Sequence, residues 1–111
     1  MVQELKTSMT IGDTGRGSLT TSTIKGALSC FIISTSSPVK LSIVLENYPA
    51  IGILDLASCN GVKYFPVEIQ PLDKNGDLIN YRSSKYYLND KLVIEAAGVR
   101  NSKVDITIRY G

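Results

Sequence analysis

Val39-Lys40-Leu41-Ser42-Ile43-Val44-Leu45-Glu46 places Val39, Leu41, Ile43 and Leu45 on one side of an extended chain. Lys40, Ser42, Val44 and Glu46 fall on the other side. A period-two pattern with one wet face is the mark of a half-buried β-strand. The pattern recurs. Phe65, Val67 and Ile69 alternate with Tyr64, Pro66, Glu68 and Gln70, and Val104, Ile106, Ile108 and Tyr110 alternate with Lys103, Asp105, Thr107 and Arg109. Ile24 to Ser34 and Ile51 to Leu56 are more continuously apolar and read as central strands. Leu92 to Ala97 reads as a strand stopped by Gly98, with a short helix as the alternative. Pro66 inside a strand pattern suggests an edge position or a bulge.

Residue usage agrees with this reading. The chain has 12 Ile and 8 Val against 5 Ala, and 20 Ser and Thr. β-Branched side chains pack well on a pleated surface, and hydroxyl residues suit strand faces and turns. Turn signals are closely spaced at Ser36-Ser37-Pro38, Asn47-Tyr48-Pro49, Asn60-Gly61, Asn75-Gly76, Asn89-Asp90 and Asn101-Ser102. Short strands between frequent turns predict a single antiparallel β-sandwich, jelly-roll or Ig-like, of about seven or eight strands over residues 24–111. At 111 residues, 43% of them hydrophobic, one domain is expected.

Residues 1–23 differ. They hold nine Ser or Thr, three Gly and no aromatic, and Val2, Leu5, Met9, Ile11 and Leu19 are irregularly spaced. This stretch reads as a flexible N-terminal arm, either a frayed tail or a segment that orders on a neighbouring subunit. Gly12-x-x-Gly15-x-Gly17 lacks the Lys-Ser/Thr of a phosphate loop and the flanking strand and helix, so it belongs to the arm.

Several chemistries are set aside. The chain has no His, which removes His bases, triads and metal ligands, and two Cys cannot build a four-ligand zinc site. Cys30 reads as a core residue and Cys59 as part of a turn, both reduced, since no export signal precedes them. Asp73-Lys74-Asn75-Gly76-Asp77 lacks the later ligands of a calcium loop and reads as a hairpin turn. The ten acids are scattered; Asp55, within Ile53-Leu54-Asp55-Leu56, reads as a strand-end cap. No enzyme activity, cofactor or metal is expected. The longest apolar runs are a few residues, so no membrane span is expected either.

Half of the six Tyr lie in Tyr81 to Lys91, where Tyr81, Tyr86 and Tyr87 mix with Arg82 and Lys85. Tyr and Arg are enriched at protein interfaces. Residues 81–111 carry a net charge of +3 and residues 41–80 a net −3, a complementarity that suits head-to-tail contacts between copies. The overall charge of +2 is too small to imply a nucleic-acid partner. The contact residues expected are Leu5, Ile11 and Arg16 in the arm and Tyr81, Arg82, Lys85, Tyr86 and Tyr87 in this segment.

The arm leading into Leu28-Ser29-Cys30-Phe31-Ile32-Ile33-Ser34, the middle stretch Tyr64-Phe65-Pro66-Val67-Glu68-Ile69-Gln70-Pro71-Leu72-Asp73 and the final Val104-Asp105-Ile106-Thr107-Ile108-Arg109-Tyr110-Gly111 together resemble the plan of small all-β accessory proteins of tailed bacteriophage virions. These proteins decorate capsids or line the neck and tail. The resemblance implies a sandwich or jelly-roll without cofactor, a location in the virion after assembly in the host cytoplasm, and a non-enzymatic structural role. The implied partners are copies of the chain and a larger virion protein such as the major capsid protein. The alternative is a carbohydrate- or receptor-binding module of a virion or cell surface, with Tyr81, Tyr86 and Tyr87 as stacking platforms.

Overall fold

The stretch around Val39 belongs to one strand of 22 residues, Ile24–Leu45, here β3. At about 3.3 Å per residue a straight strand of that length would reach about 70 Å. The longest dimension of the molecule is 47 Å, so β3 must bend. It does so between Thr35 and Val39, where the register to its neighbour shifts. Pro38 has no N–H to give to a ladder, so it sits where the ladder is already interrupted. Seryl hydroxyls stand in there. Lys103 N donates to Ser36 Oγ at 2.9 Å, and the hydroxyls of Ser37 and Ser102 pair.

The computed structural model describes residues 2–49, 52–67, 75 and 86–111. Around β3 lie β1 (Gln3–Thr10), β2 (Arg16–Thr20), β4 (Gly52–Pro66), β5 (Tyr86–Asp90), β6 (Leu92–Gly98) and β7 (Lys103–Tyr110). All pairings are antiparallel, and strands hold 77% of the described residues. The order is β1-β7-β3-β6-β2, with β4 and β5 on the other side of β3.

Four ribbons cross the bend. Besides β3 they are residues 3–20, residues 92–110 and β4, and each has its own corner. In β4, Cys59 faces Val39 and Gly61 faces Thr35, with Gly61 at φ +75°. Between β1 and β2, Gly15 N donates to Gly12 O at 3.0 Å, with Gly15 at φ +79°. Between β6 and β7, Ser102 N donates to Val99 O at 3.2 Å and Asn101 takes φ +65°. Two of these corners are tied together, since Asn101 N donates to Ile11 O and Ile11 N to Ser102 O. The inner faces on both sides of the bend share one core. Phe31, Ile33, Ile106 and Ile108 from one side meet Leu41, Ile43, Ile94 and Ala96 from the other. The result is a curled sheet forming a half-barrel.

The curl brings the two ends of β3 together. Ile24 pairs with Asp90 and Leu45 with Leu92, two residues further along the chain. Asp90, 8% exposed, accepts from Asn47 Nδ2 and Lys91 N at 2.7 Å each and from Asn47 N at 3.2 Å. Thr21 Oγ1 accepts from Leu92 N at 3.0 Å and donates to Ser22 O at 2.8 Å. Every buried side-chain polar atom among the described residues has a partner, as burial in a low-dielectric core demands.

Two expectations are corrected. The sandwich of separate sheets is replaced by one seven-stranded sheet, because Ser36-Ser37-Pro38 and Asn60-Gly61 bend strands instead of ending them. A strand that switches faces through a bulge yields a two-sided core without a loop. Residues 1–23 are not a flexible arm either. β1 pairs residue by residue with β7 and β2 with β6, Ile11 is fully buried and Thr21 is buried. The Gly12–Gly15 stretch is a corner turn. Leu92–Gly98 is a strand, and Pro66 ends β4, which pairs with β3 alone among the described strands. The Asp73–Asp77 segment lies outside the described residues except for Asn75.

Candidate interaction surface

The contact residues expected from sequence fall in three places. Ile11 is 0% exposed inside the chain's own core, so it cannot anchor a neighbour. Leu5 is half-buried and packs against that core from β1. Arg16 is exposed at the start of β2. Tyr81, Arg82 and Lys85 lie outside the described residues. Tyr86 begins β5 opposite Leu28, and Tyr87 follows opposite Ala27. Tyr87 is 78% exposed and the next residue, Leu88, is buried, as alternation along a strand requires.

Sequence reading missed the edges of the sheet. Among the described strands, β1 pairs only with β7, β2 only with β6 and β4 only with β3. An edge strand carries a row of backbone groups without a ladder partner and can template pairing with another chain. The outer face of β4 presents Val62, 72% exposed, and Tyr64, 60% exposed, across from Ser34 and Ile32. Their positions two residues apart in Gly61-Val62-Lys63-Tyr64 were the available signal. It was masked because the Asn60-Gly61 pair reads as a turn.

A second feature lies on the outer face of β2, β6 and β3. Arg16 and Lys40 both stand opposite Ala97, from either side. One row along, Ser18 and Ser42 both stand opposite Glu95. These side chains, with Gly17, Ala96 and Ala97 as floor, line a shallow open depression of about 580 Å³. Neither cation makes an ion pair among the described residues, where the salt bridge present is Arg109 Nε to Glu4 Oε1 at 2.8 Å.

Other chemistry is sparse. Among the described residues no three of His, Cys, Asp and Glu gather in a metal-binding group. Asp55 is exposed as the fourth residue of β4, where it stands opposite Ser42 within the ladder and caps no strand end. Cys30 and Cys59 are free and buried. Cys59, in a strand instead of the expected turn, accepts through its carbonyl from Thr35 Oγ1 at 3.2 Å. Burial pushes its thiol pKa up, and the nearby Lys63 charge opposes this in part. A raised thiol is mostly protonated and a poor nucleophile at neutral pH.

No family model matches the chain, and no curated protein does. Three solved structures are similar in outline. The Aeromonas hydrophila periplasmic inhibitor of g-type lysozyme, PliG, is 12% identical, with 98% of this chain and 84% of that one covered and a TM-score of 0.36. The disulfide-linked pili of Bacillus endospore appendages give 10% identity, coverage of 99% and 86%, and a TM-score of 0.35. A chain of infectious bursal disease virus, Gx strain, gives 12% identity, a TM-score of 0.32 and coverage of 98% of this chain but only 32% of its own. What characterises the molecule is therefore its own geometry: an all-β, antiparallel sheet curled around a single core, with β1, β2 and β4 at its borders among the described strands and an ionic ledge on its outer side.

Proposed function

We propose that this chain is a non-enzymatic structural subunit that associates with copies of itself and seats on a larger assembly. In the finer form of this reading it is an auxiliary or decoration protein of a tailed-phage virion, bound to the major capsid protein. The observation that carries the reading is the pair of sheet borders among the described strands, the 3–20 ribbon on one side and β4 on the other. Two different edges on one sheet favour head-to-tail addition, which closes into rings or continues over a lattice. Exposed Val62 beside the β4 edge adds apolar area to such a contact.

Light scattering after gel filtration tests it. The chain is expected to run as an oligomer at micromolar concentration, and Val62→Lys, which places a charge beside the edge, is expected to shift it toward monomer. A monomeric mass for the parent chain at every concentration would overturn self-association. The second reading, a carbohydrate- or receptor-binding module, draws on exposed Tyr87 as a stacking surface. Glycan binding lost in Tyr87→Ala, with the mass unchanged, would favour it over the first.

A further inference from the structure

Arg16 lies on the 3–20 border used by the first reading, but the ledge it forms with Lys40 and Glu95 is on the sheet face and takes no part in that edge pairing. From its geometry we infer a binding site for a singly charged, polyhydroxylated anion, such as a uronic acid unit of an acidic saccharide. Arg16 and Lys40 flank Ala97 on neighbouring strands, so their Cα atoms are about 10 Å apart, two strand spacings. Only a methyl group stands between them. A carboxylate entering this gap is reached from both sides, by a guanidinium that can grip it in bidentate fashion and by an ammonium.

The next row, about 7 Å along the strands, supplies the other half of the recognition. Glu95 stands between the hydroxyls of Ser18 and Ser42. A carboxylate accepts from sugar hydroxyls, and seryl hydroxyls both donate and accept. The Ala97 methyl offers a flat apolar contact for the C–H face of a ring.

Charge decides the ligand class. Arg16, Lys40 and Glu95, the charged groups that line the ledge, sum to one positive charge, while Asp55, opposite Ser42 one strand further on, adds a second carboxylate at its rim, so one anionic group seats at the Arg16–Lys40 end. A nucleic-acid strand or a run of acidic residues would bring further negative charge against Glu95 at close range, and like charges there are costly. The paired cations lack carboxylate partners among the described residues, so an incoming anion displaces no internal ion pair.

Amide shifts of Ser18, Lys40, Ser42 and Ala97 in the full chain, titrated with methyl glucuronide, test the site. Methyl glucoside is the neutral control, and inorganic sulfate the anion without hydroxyls. Glucuronide is expected to shift these four amides at millimolar concentration, with methyl glucoside and sulfate each at least about tenfold weaker, the worth of one charge-assisted hydrogen bond. Arg16→Gln and Lys40→Gln should each weaken glucuronide by a similar factor. Ala97→Leu should fill the gap and abolish binding while the melting temperature holds. Absence of shifts at these amides would overturn the site. Equal binding of the glucoside, or of sulfate, would overturn the ligand class. Should Ala97→Leu fail to fold, unchanged glucuronide affinity in both Gln variants overturns the site by itself.

Discussion

β3 and the ribbon of residues 3–20 cross the same bend, yet they solve it differently. β3 runs through without a break, using a register shift around Ser36–Pro38. The 3–20 ribbon stops, makes the Gly12–Gly15 turn and restarts as β2. Among the described strands, β3 has neighbours on both sides along nearly all of its length, while the ribbon has them on one side only. A central strand needs apolar residues at nearly every inward position, so its pattern is loud. An edge strand with one covered face needs few: Leu5, Met9 and Leu19 are only half-buried, and Ile11 alone in the ribbon is fully enclosed. Sparse apolar content therefore marks an edge here, and does not mark a tail.

The widest break in this comparison would come from removing the ribbon. Deleting residues 2–23 strips β6 and β7 of a partner and opens the core at Ile11. The truncated chain is expected to lose its cooperative thermal transition, followed by circular dichroism. A truncated chain that melts close to the full-length one would restore the picture of a dispensable arm.

Single truncations sharpen the contrast. Phe31→Ala in β3 should cost about 3–5 kcal/mol and Ile11→Ala in the ribbon about 2–5 kcal/mol in urea titrations. An Ile11→Ala cost under about 1 kcal/mol, the level of a surface change, would show that the ribbon is not part of the core. The ribbon's turn comes next. Gly15 holds φ +79° and its missing Cβ would meet Gly98 O at 3.2 Å, so Gly15→Ala should lose about 1–2 kcal/mol or slightly more. An unchanged urea midpoint would mean that the turn relaxes freely.

A smaller effect tests the corner of β4. Cys59 has a thiol pKa raised by burial, so the unfolded chain ionises first as pH rises through the ordinary value of 9.0. The contribution from burying the neutral thiol is full below that value and is lost as pH climbs toward the folded one. Stability of the parent chain should therefore fall more steeply than that of Cys59→Ala between about pH 8 and 10. Parallel profiles would count against a thiol held neutral by the fold. Smallest is the Arg109–Glu4 pair, whose side chains are 42% and 39% exposed. Glu4→Gln should cost well under about 1 kcal/mol and less still at high salt. A larger, salt-insensitive loss would mean that the ribbon is held by charge more than by Ile11.

Much of the strand content was legible. Val39 to Glu46 and Val104 to Tyr110 alternate so regularly that their inward faces could be named from sequence, since the period of two is a local property of an extended chain. Leu92 to Ala97 resolved as a strand because cross-strand pairing with β3 supplied what its ambiguous pattern lacked. The contact residues were less legible. Arg16 was singled out, but Lys40 and Glu95 were not, because they lie 24 and 79 positions further along and meet only through β6. Val62 was hidden by a turn signal that proved to be a bend.

By itself the sequence determined an all-β, antiparallel chain with one core and without His chemistry, because residue types and period-two alternation act through neighbours along the backbone. Only the tertiary structure decided that the sheet is one curled piece, that residues 3–20 belong to it and that two cations share a ledge. Each of these depends on which strands lie side by side. That choice is made by core packing and by where a 22-residue strand must bend, neither of which is encoded in any short stretch of residues.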